Sequence, residues 1–228
     1  MPSLTQIAID GPAASGKTTV ARRVADRLHL LYLDTGAMYR ALAWLALRSQ
    51  THVDNQDALV RLCENSRVRV ELDRGAPLGF RIYAGDTELG PLQLESNEVT
   101  AVVSIVAAHP DVREAMVREQ RRIARTGSVV MAGRDIGTVV LPDAPVKIYL
   151  TASVQARVAR RRAQLESAGV DVNAHALTEE IEERDRLDEE RETSPLRKAP
   201  DAHEIDSSAL SAQDVVDAIC AIAGRAFV

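Results

Sequence analysis

A chain of 228 residues, 46% hydrophobic and 27% charged, can bury a substantial core without metals or disulfides, and suits one α/β domain with insertions. Its two cysteines, Cys63 and Cys220, stand alone, with no C-x-x-C spacing and no nearby histidine pair, which excludes the zinc and thiol-redox classes. The formal net charge of -5, from 28 basic and 33 acidic side chains, gives no global attraction to nucleic acid, and no apolar stretch is long enough to span a bilayer.

The first predicted element is the strand Gln6–Asp10, short, apolar and partly β-branched. It runs into Gly11-Pro12-Ala13-Ala14-Ser15-Gly16-Lys17-Thr18, a full match to G-x-x-x-x-G-K-[ST], with Thr19 next in line. Val20, Ala21, Val24, Ala25 and Leu28 then recur at helical spacing. Strand, glycine loop and helix together describe a phosphate-binding loop for a nucleoside triphosphate. Backbone N–H groups and the positive end of the helix cradle phosphate oxygens because those donors have no intrahelical partner. Lys17 is placed to reach the β and γ phosphates and Thr18 to offer its hydroxyl to Mg²⁺, while Gly11 and Gly16 permit backbone approaches that a side chain would block.

A second strand, Leu30 to Leu33, leads to Asp34-Thr35-Gly36 and a helix from about Ala37 to Arg48. Thr35 reads as its N-cap with Arg40 one turn inside, a place for a second phosphate. Val68–Leu72 and Phe80–Tyr83 switch to period two around Gly75, Pro77 and Gly79, which predicts a small antiparallel insert. Helical patterning resumes from Glu98 to Ala108, and Pro110 starts a further helix that Gly127 closes. Ser104 lies in the first of these among valines and Ile105, where its hydroxyl has the backbone as an alternative partner. Arg113 lies in the first turn of the second, where its charge opposes the helix dipole by a few tenths of a kcal/mol and favours a ligand.

Strands at Val129–Ala132, Val146–Leu150 and Glu204–Asp206 restore the alternation, the signature of a doubly wound parallel sheet. Ligands of such sheets lie beyond the carboxyl ends of the strands, where Gly11, Asp34-Thr35, Gly133-Arg134-Asp135 and Thr151 fall. A helix follows the N-cap Ser153 and ends before Gly169, with Arg157, Arg160 and Arg161 on one face and Arg162 beside them. From Thr178 to Arg191 charge dominates, and Arg184, Asp188 and Arg191 share a face, so a mobile, solvated cover is expected. Phosphoryl transfer is served by positioned cations rather than covalent chemistry, which sets these arginines against the plainer reading of salt-bridged helix surface.

Gly11 to Thr18, Leu33 to Arg40, Gly133 to Val140 and Pro142 to Lys147 together resemble bacterial cytidylate kinase, a P-loop nucleoside monophosphate kinase family, and the resemblance covers nearly the whole chain. It implies a single P-loop kinase domain over residues 1–228: a core of 1–63, 104–152 and 203–228, a monophosphate-binding β insert at 64–103, and a helical lid at 153–202. The implied reaction converts ATP and CMP or dCMP to ADP and CDP or dCDP, with Mg²⁺ bridging the ATP phosphates. Thr35, Arg40 and Arg134 match positions that hold the acceptor phosphate, and Ser104, Arg113 and Asp135 match those that recognise cytosine. Arg184 and Asp188 match the pair on the ribose hydroxyls, with Arg191 nearby, and Arg157 and Arg161 match lid arginines facing the ATP phosphates, so that with Lys17 they form the catalytic set.

Two positions depart from the pattern. Ala132 stands where some relatives have an acidic residue, leaving Mg²⁺ to Thr18, phosphates and waters, and Glu95 stands where relatives often carry arginine. Isolated thiols and the lack of a leader pattern suit a reducing cytoplasm, and the expected partners are small molecules bound by a monomer, with no nucleic acid and no membrane. A competing acceptor such as UMP or shikimate fits the P-loop equally well. A nucleic-acid module, suggested by Arg160-Arg161-Arg162 and Arg121-Arg122, fits poorly with two Phe, one Trp and four Tyr, since single-strand binding uses aromatic stacking.

Overall fold

The computed structural model describes residues 5–167 and 169–226, so the expected core's extremes, 1–4 and 227–228, lie outside it. The chain begins β1 (Gln6–Asp10), α1 (Lys17–Leu28), β2 (Leu31–Asp34), α2 (Thr35–Arg48) and α3 (Gln56–Leu62). A π-helical turn leads to β3 (Val68–Leu72), β4 (Phe80–Ala84), β5 (Thr87–Glu88), α4 (Pro91–Leu94), α5 (Asn97–Ala108) and α6 (Pro110–Ala124). Then come β6 (Val129–Gly133), β7 (Val146–Thr151), α7 (Val154–Ser167), α8 (Ala174–Glu190), β8 (His203–Asp206) and α9 (Ala212–Ala226).

Five strands form a parallel sheet in the order β2-β6-β1-β7-β8. Because β6 inserts between β2 and β1, three distant parts of the chain end level with one another: Asp10 pairs with Gly133 and Asp34 with Ala132. The central strands are apolar at nearly every position because helices cover both faces; all five residues of β6 are buried. On one face α1 lays down Val20, Ala21, Val24 and Ala25, and α9 packs behind it with Val215, Val216, Ile219 and Ala223. The second sheet, β3-β4-β5, is antiparallel and alternates as its period predicts, with Val68, Val70, Phe80, Ile82 and Ala84 buried toward α2.

The charged stretch from Thr178 to Arg191 is not the wholly solvated cover its composition suggests. It belongs to α8, which starts at Ala174, where the Asn173 side chain accepts hydrogen bonds from the N–H groups of His175 and Ala176 at 2.9 and 3.3 Å. Leu177, Ile181 and Asp185, four residues apart, form a narrow buried stripe that packs on α7. Two apolar residues in that stripe are too few to stand out among the charges. The short helices α3 and α4 lie in stretches with no predicted element.

Gly11 is required by a close approach. A Cβ there would lie 2.0 Å from the Leu150 carbonyl oxygen, and that atom belongs to a buried strand and cannot move aside. Gly85 has φ +61 but open space around its would-be Cβ. We expect Gly11→Ala to lower unfolding free energy by about 3 kcal/mol, near the top of the overpacking range. Gly85→Ala should cost about 1 kcal/mol, from backbone conformation alone. Urea unfolding of the two variants, with equal losses, would contradict this.

Candidate active site

The carboxyl ends of β1, β2 and β6 open onto a cavity of about 750 Å³. All the predicted site residues line it except Gly11, Pro12 and Arg157. At its floor, Gly16 takes φ +93 and N-caps α1, which turns the loop so that the helix begins at Lys17. The buried Lys17 ammonium donates to the Pro12 carbonyl at 2.6 Å and to Ser15 Oγ at 3.3 Å. Burial, and after it the charge of Arg134, holds Lys17 well below its ordinary pKa.

Behind the loop, the buried Asp10 carboxylate accepts from the N–H groups of Ile136 and Gly137 at 2.8 and 2.7 Å and so ties the Gly133-to-Val140 segment to the end of β1. The sequence gives it no signal beyond its place at a strand end. Burial outweighs those two hydrogen bonds and raises its pKa from 3.8 to about 6. A carboxyl with a raised folded pKa stabilises the fold below its unfolded pKa, and that contribution is lost as pH rises through the folded value. Relative to Asp10→Asn, wild-type stability should therefore fall by on the order of 2 to 3 kcal/mol between about pH 4 and pH 6.5, and then level off. A stability difference between the two proteins that ignores pH in urea titrations would show that Asp10 does not titrate there.

The expected N-cap of α2 is displaced by one residue. Asp34, not Thr35, caps it, with Oδ1 accepting from the Gly36 N–H at 2.9 Å, while Thr35 is the first helical residue and donates its hydroxyl to the Ala132 carbonyl at 3.0 Å. Both residue types cap well, and the tie from Thr35 to β6 decides between them. Arg40, one turn on, donates to Leu94 O and Thr100 Oγ1 at 3.0 and 3.1 Å, which aims it from α2 toward the insert. Burial first, then Arg134 and Arg40, lowers the pKa of Arg184 to about 10. Arg40, Arg134 and Arg184 thus converge as one crowded group of guanidinium charges.

Beyond them Arg113 and Asp135 form a buried ion pair at 2.6 Å, which answers the misplaced charge at the start of α6. Arg113 also donates to Ala107 O at 3.1 Å and lies 5.2 Å over the Tyr39 ring. Asp188 pairs with Arg134 at 2.7 Å and with Arg191 at 3.3 Å. Burial opposes ionisation of Asp188, and the neighbouring guanidinium groups overcome it, leaving its pKa below the ordinary value. Two buried guanidinium donors here have no hydrogen-bond partner, Arg113 Nε and Arg191 Nη2, and the Tyr39 hydroxyl has none either. Ser104 lines the same end of the cavity.

Of the α7 arginines expected to face the donor phosphates, Arg161 lines the cavity, together with Arg160, which sequence reasoning left without a role. Arg160 donates to Ser207 Oγ at 3.0 Å and Ser15 O at 3.3 Å. Arg157 does not line the cavity and is turned elsewhere. Its Nε donates to Ala152 O at 3.1 Å, its Nη1 to Ala13 O at 3.1 Å, and Nη1 also pairs with Asp185.

Mg²⁺ binds hard oxygen donors and keeps several waters or phosphate oxygens. The residues present fit that chemistry: the Thr18 hydroxyl donates to Asp34 Oδ2 at 2.8 Å at the mouth of the loop. Among the described residues no group of three or more His, Cys, Asp or Glu side chains is placed to hold a metal. Asp34 pairs in the sheet with Ala132, the position without an acid, and sequence reasoning placed it at the ligand edge without giving it a role of its own.

A P-loop at the carboxyl edge of a parallel sheet, facing a buried cluster of guanidinium groups across one cavity, defines a P-loop kinase. The family model described as cytidylate kinase matches residues 7–225. The cytidylate kinase of Geobacillus sp. (strain WCH70) is 49% identical over 217 residues, 95% of each chain. That of Bacillus cereus (strain ATCC 10987 / NRS 248) is 46% identical over 227 residues, covering 100% of this chain and 99% of its own. A crystal structure of an uncharacterized protein from Eubacterium ventriosum ATCC 27560 shares the fold, with a TM-score of 0.52 at 13% identity over 96% of this chain and 98% of that one. This chain belongs to the cytidylate kinase family. No helix among its described residues is long and apolar enough to cross a membrane.

Proposed function

We propose that the chain transfers the γ-phosphoryl group of ATP to CMP or dCMP, giving ADP and CDP or dCDP, as a monomeric cytoplasmic enzyme. The observation that supports this most is the convergence of Arg40, Arg134 and Arg184 in the cavity that begins at Lys17. Guanidinium groups crowded out of water favour an anion between them, and a phosphate between the P-loop and the Arg113–Asp135 end of the cavity is that anion.

The loop residues Gly11, Pro12, Ala13, Ala14, Ser15, Gly16, Lys17, Thr18 and Thr19 bind the donor triphosphate, with Lys17 on its β and γ phosphates. Thr35, Arg40 and Arg134 hold the acceptor phosphate, and Arg184 stands beside them. A cytosine edge offers an amino donor and a carbonyl acceptor. Asp135 takes the first, since its Oδ1 is left over from the Arg113 pair, while Arg113 and Ser104 supply donors for the second. Arg184 and Asp188 face the ribose hydroxyls, with Arg191 beside them. Arg161 meets the transferring phosphoryl group from α7, whose packing with α8 beside the loop helps exclude water and limits hydrolysis. Thr18 and Asp34, with phosphates and waters, would hold Mg²⁺, whose charge neutralises the donor phosphate oxygens when bound.

A panel of nucleoside monophosphates and shikimate with ATP should show CMP and dCMP as the best acceptors by kcat/KM. UMP, AMP or shikimate ahead of them rejects the assignment of the base site. Lys17→Ala should lower kcat by about 100-fold or more with the circular dichroism spectrum unchanged, because a charge used in the transition state is gone. Asp188→Ala should raise KM for CMP on the order of 10- to 100-fold, the range for a hydrogen bond to a charged, buried group, with KM for ATP nearly constant. An unchanged KM for CMP would return Asp188 to a structural part.

A further inference from the structure

Arg157 and Asp185 come from two different helices and meet on one residue of the phosphate loop. Asp185 Oδ1 accepts from the Ala13 N–H at 2.9 Å, and its Oδ2 pairs with Arg157 Nη1. The same Nη1 donates to the Ala13 carbonyl at 3.1 Å, and Nε donates to Ala152 O at the end of β7. Both backbone polar groups of Ala13 are therefore gripped by one buried ion pair, 144 and 172 residues away in sequence. The next residue, Ala14, has φ +56, a left-handed conformation that costs a side-chain-bearing residue about 1 kcal/mol and persists only where neighbours hold it. Arg157 and Asp185 are 5% and 8% exposed, and neither lines the cavity.

We propose that Asp185 is a positioning residue: with Arg157 as its counter-ion, it clamps α7 and α8 to Ala13, so that the loop's phosphate-binding shape and the placing of Arg160 and Arg161 are set together. Arg157 then acts through the loop and not on the donor phosphates. This rests on the kinase reading above and extends it to residues that reading leaves without substrate contact. The ion pair suits the task because its charge balance is internal. Removing either partner strands the other charge out of water and releases the loop, whereas removing both strands nothing.

The test is a double-mutant cycle on the purified full chain with ATP and CMP, using Arg157→Ala, Asp185→Ala and the pair. Each single should lower kcat/KM for ATP by about 100-fold, the cost of a small misplacement of reacting groups. The double should be no worse than the poorer single, and KM should rise more for ATP than for CMP. Asp185→Asn keeps an oxygen for the Ala13 N–H and should recover part of the loss. If the alanine variants do not fold, Asp185→Asn and Arg157→Lys form the same cycle with smaller effects. The proposal is overturned if Arg157→Ala is on the order of 100-fold worse than Asp185→Ala and the two losses multiply, because the guanidinium then acts on phosphate directly. It is equally overturned if the variants only melt earlier, with KM for ATP unchanged. Failure of the kinase reading would show in the wild-type acceptor panel alone, before any variant is made.

Discussion

Positive charges held side by side out of water repel one another, and the central constraint on this molecule is to keep Lys17, Arg40, Arg134 and Arg184 together in one cavity. Burial and mutual repulsion lower the pKa of Lys17 and of Arg184. Asp188 relieves part of that strain at Arg134, and Asp34 and Asp188 draw on Lys17. Lys17 and Arg184 are thus left short of negative charge, and on the proposed reading polyanionic substrates complete the balance. Preorganised charge of this sort needs no rearrangement when the transferring phosphoryl group spreads its charge over its oxygens.

Sheet topology makes this crowding possible. The strand order brings the ends of β1, β6 and β2 level, so a glycine loop, a capped helix and the Gly133-to-Val140 segment meet above one edge. Asp10 fastens the last of these to the first through two backbone hydrogen bonds. Asp34 serves two structures at once, capping α2 with one oxygen and receiving the Thr18 hydroxyl with the other. Short polar side chains at strand ends thus hold loops that have no regular hydrogen-bond ladder of their own.

The charged helices divide their arginines among three settings that composition cannot separate. Arg161 and Arg184 face the cavity, Arg186 sits in exposed pairs with Glu183 and Glu190, and Arg157 is buried against Asp185 and Ala13. Exposed pairs of the second kind contribute little to stability, whereas a buried pair bonded to backbone fixes geometry. An internally balanced clamp beside the cluster leaves the cavity cations only partly compensated while the loop beneath them stays fixed.

Much of this was legible in the chain itself. Gly11 to Thr18 announces a phosphate loop because its demands are local: left-handed angles, free N–H groups and a lysine at a set distance. Period two in Val68–Leu72 and Phe80–Tyr83 marks the insert, and the strand ends mark the edge where Arg134 and Asp135 lie. Legibility failed wherever a residue's part depends on something far away in sequence. Thr35 and Asp34 are equally good caps until Ala132 draws the Thr35 hydroxyl. Arg157 and Arg161 share a helical face until Asp185 claims one of them, and Asp185 is one acid among many until Leu177 and Ile181 turn it inward. Local backbone chemistry is written in neighbouring residues and can be read there. Which of several like charges faces the cavity and which holds the scaffold is settled only when elements far apart in the chain come into contact.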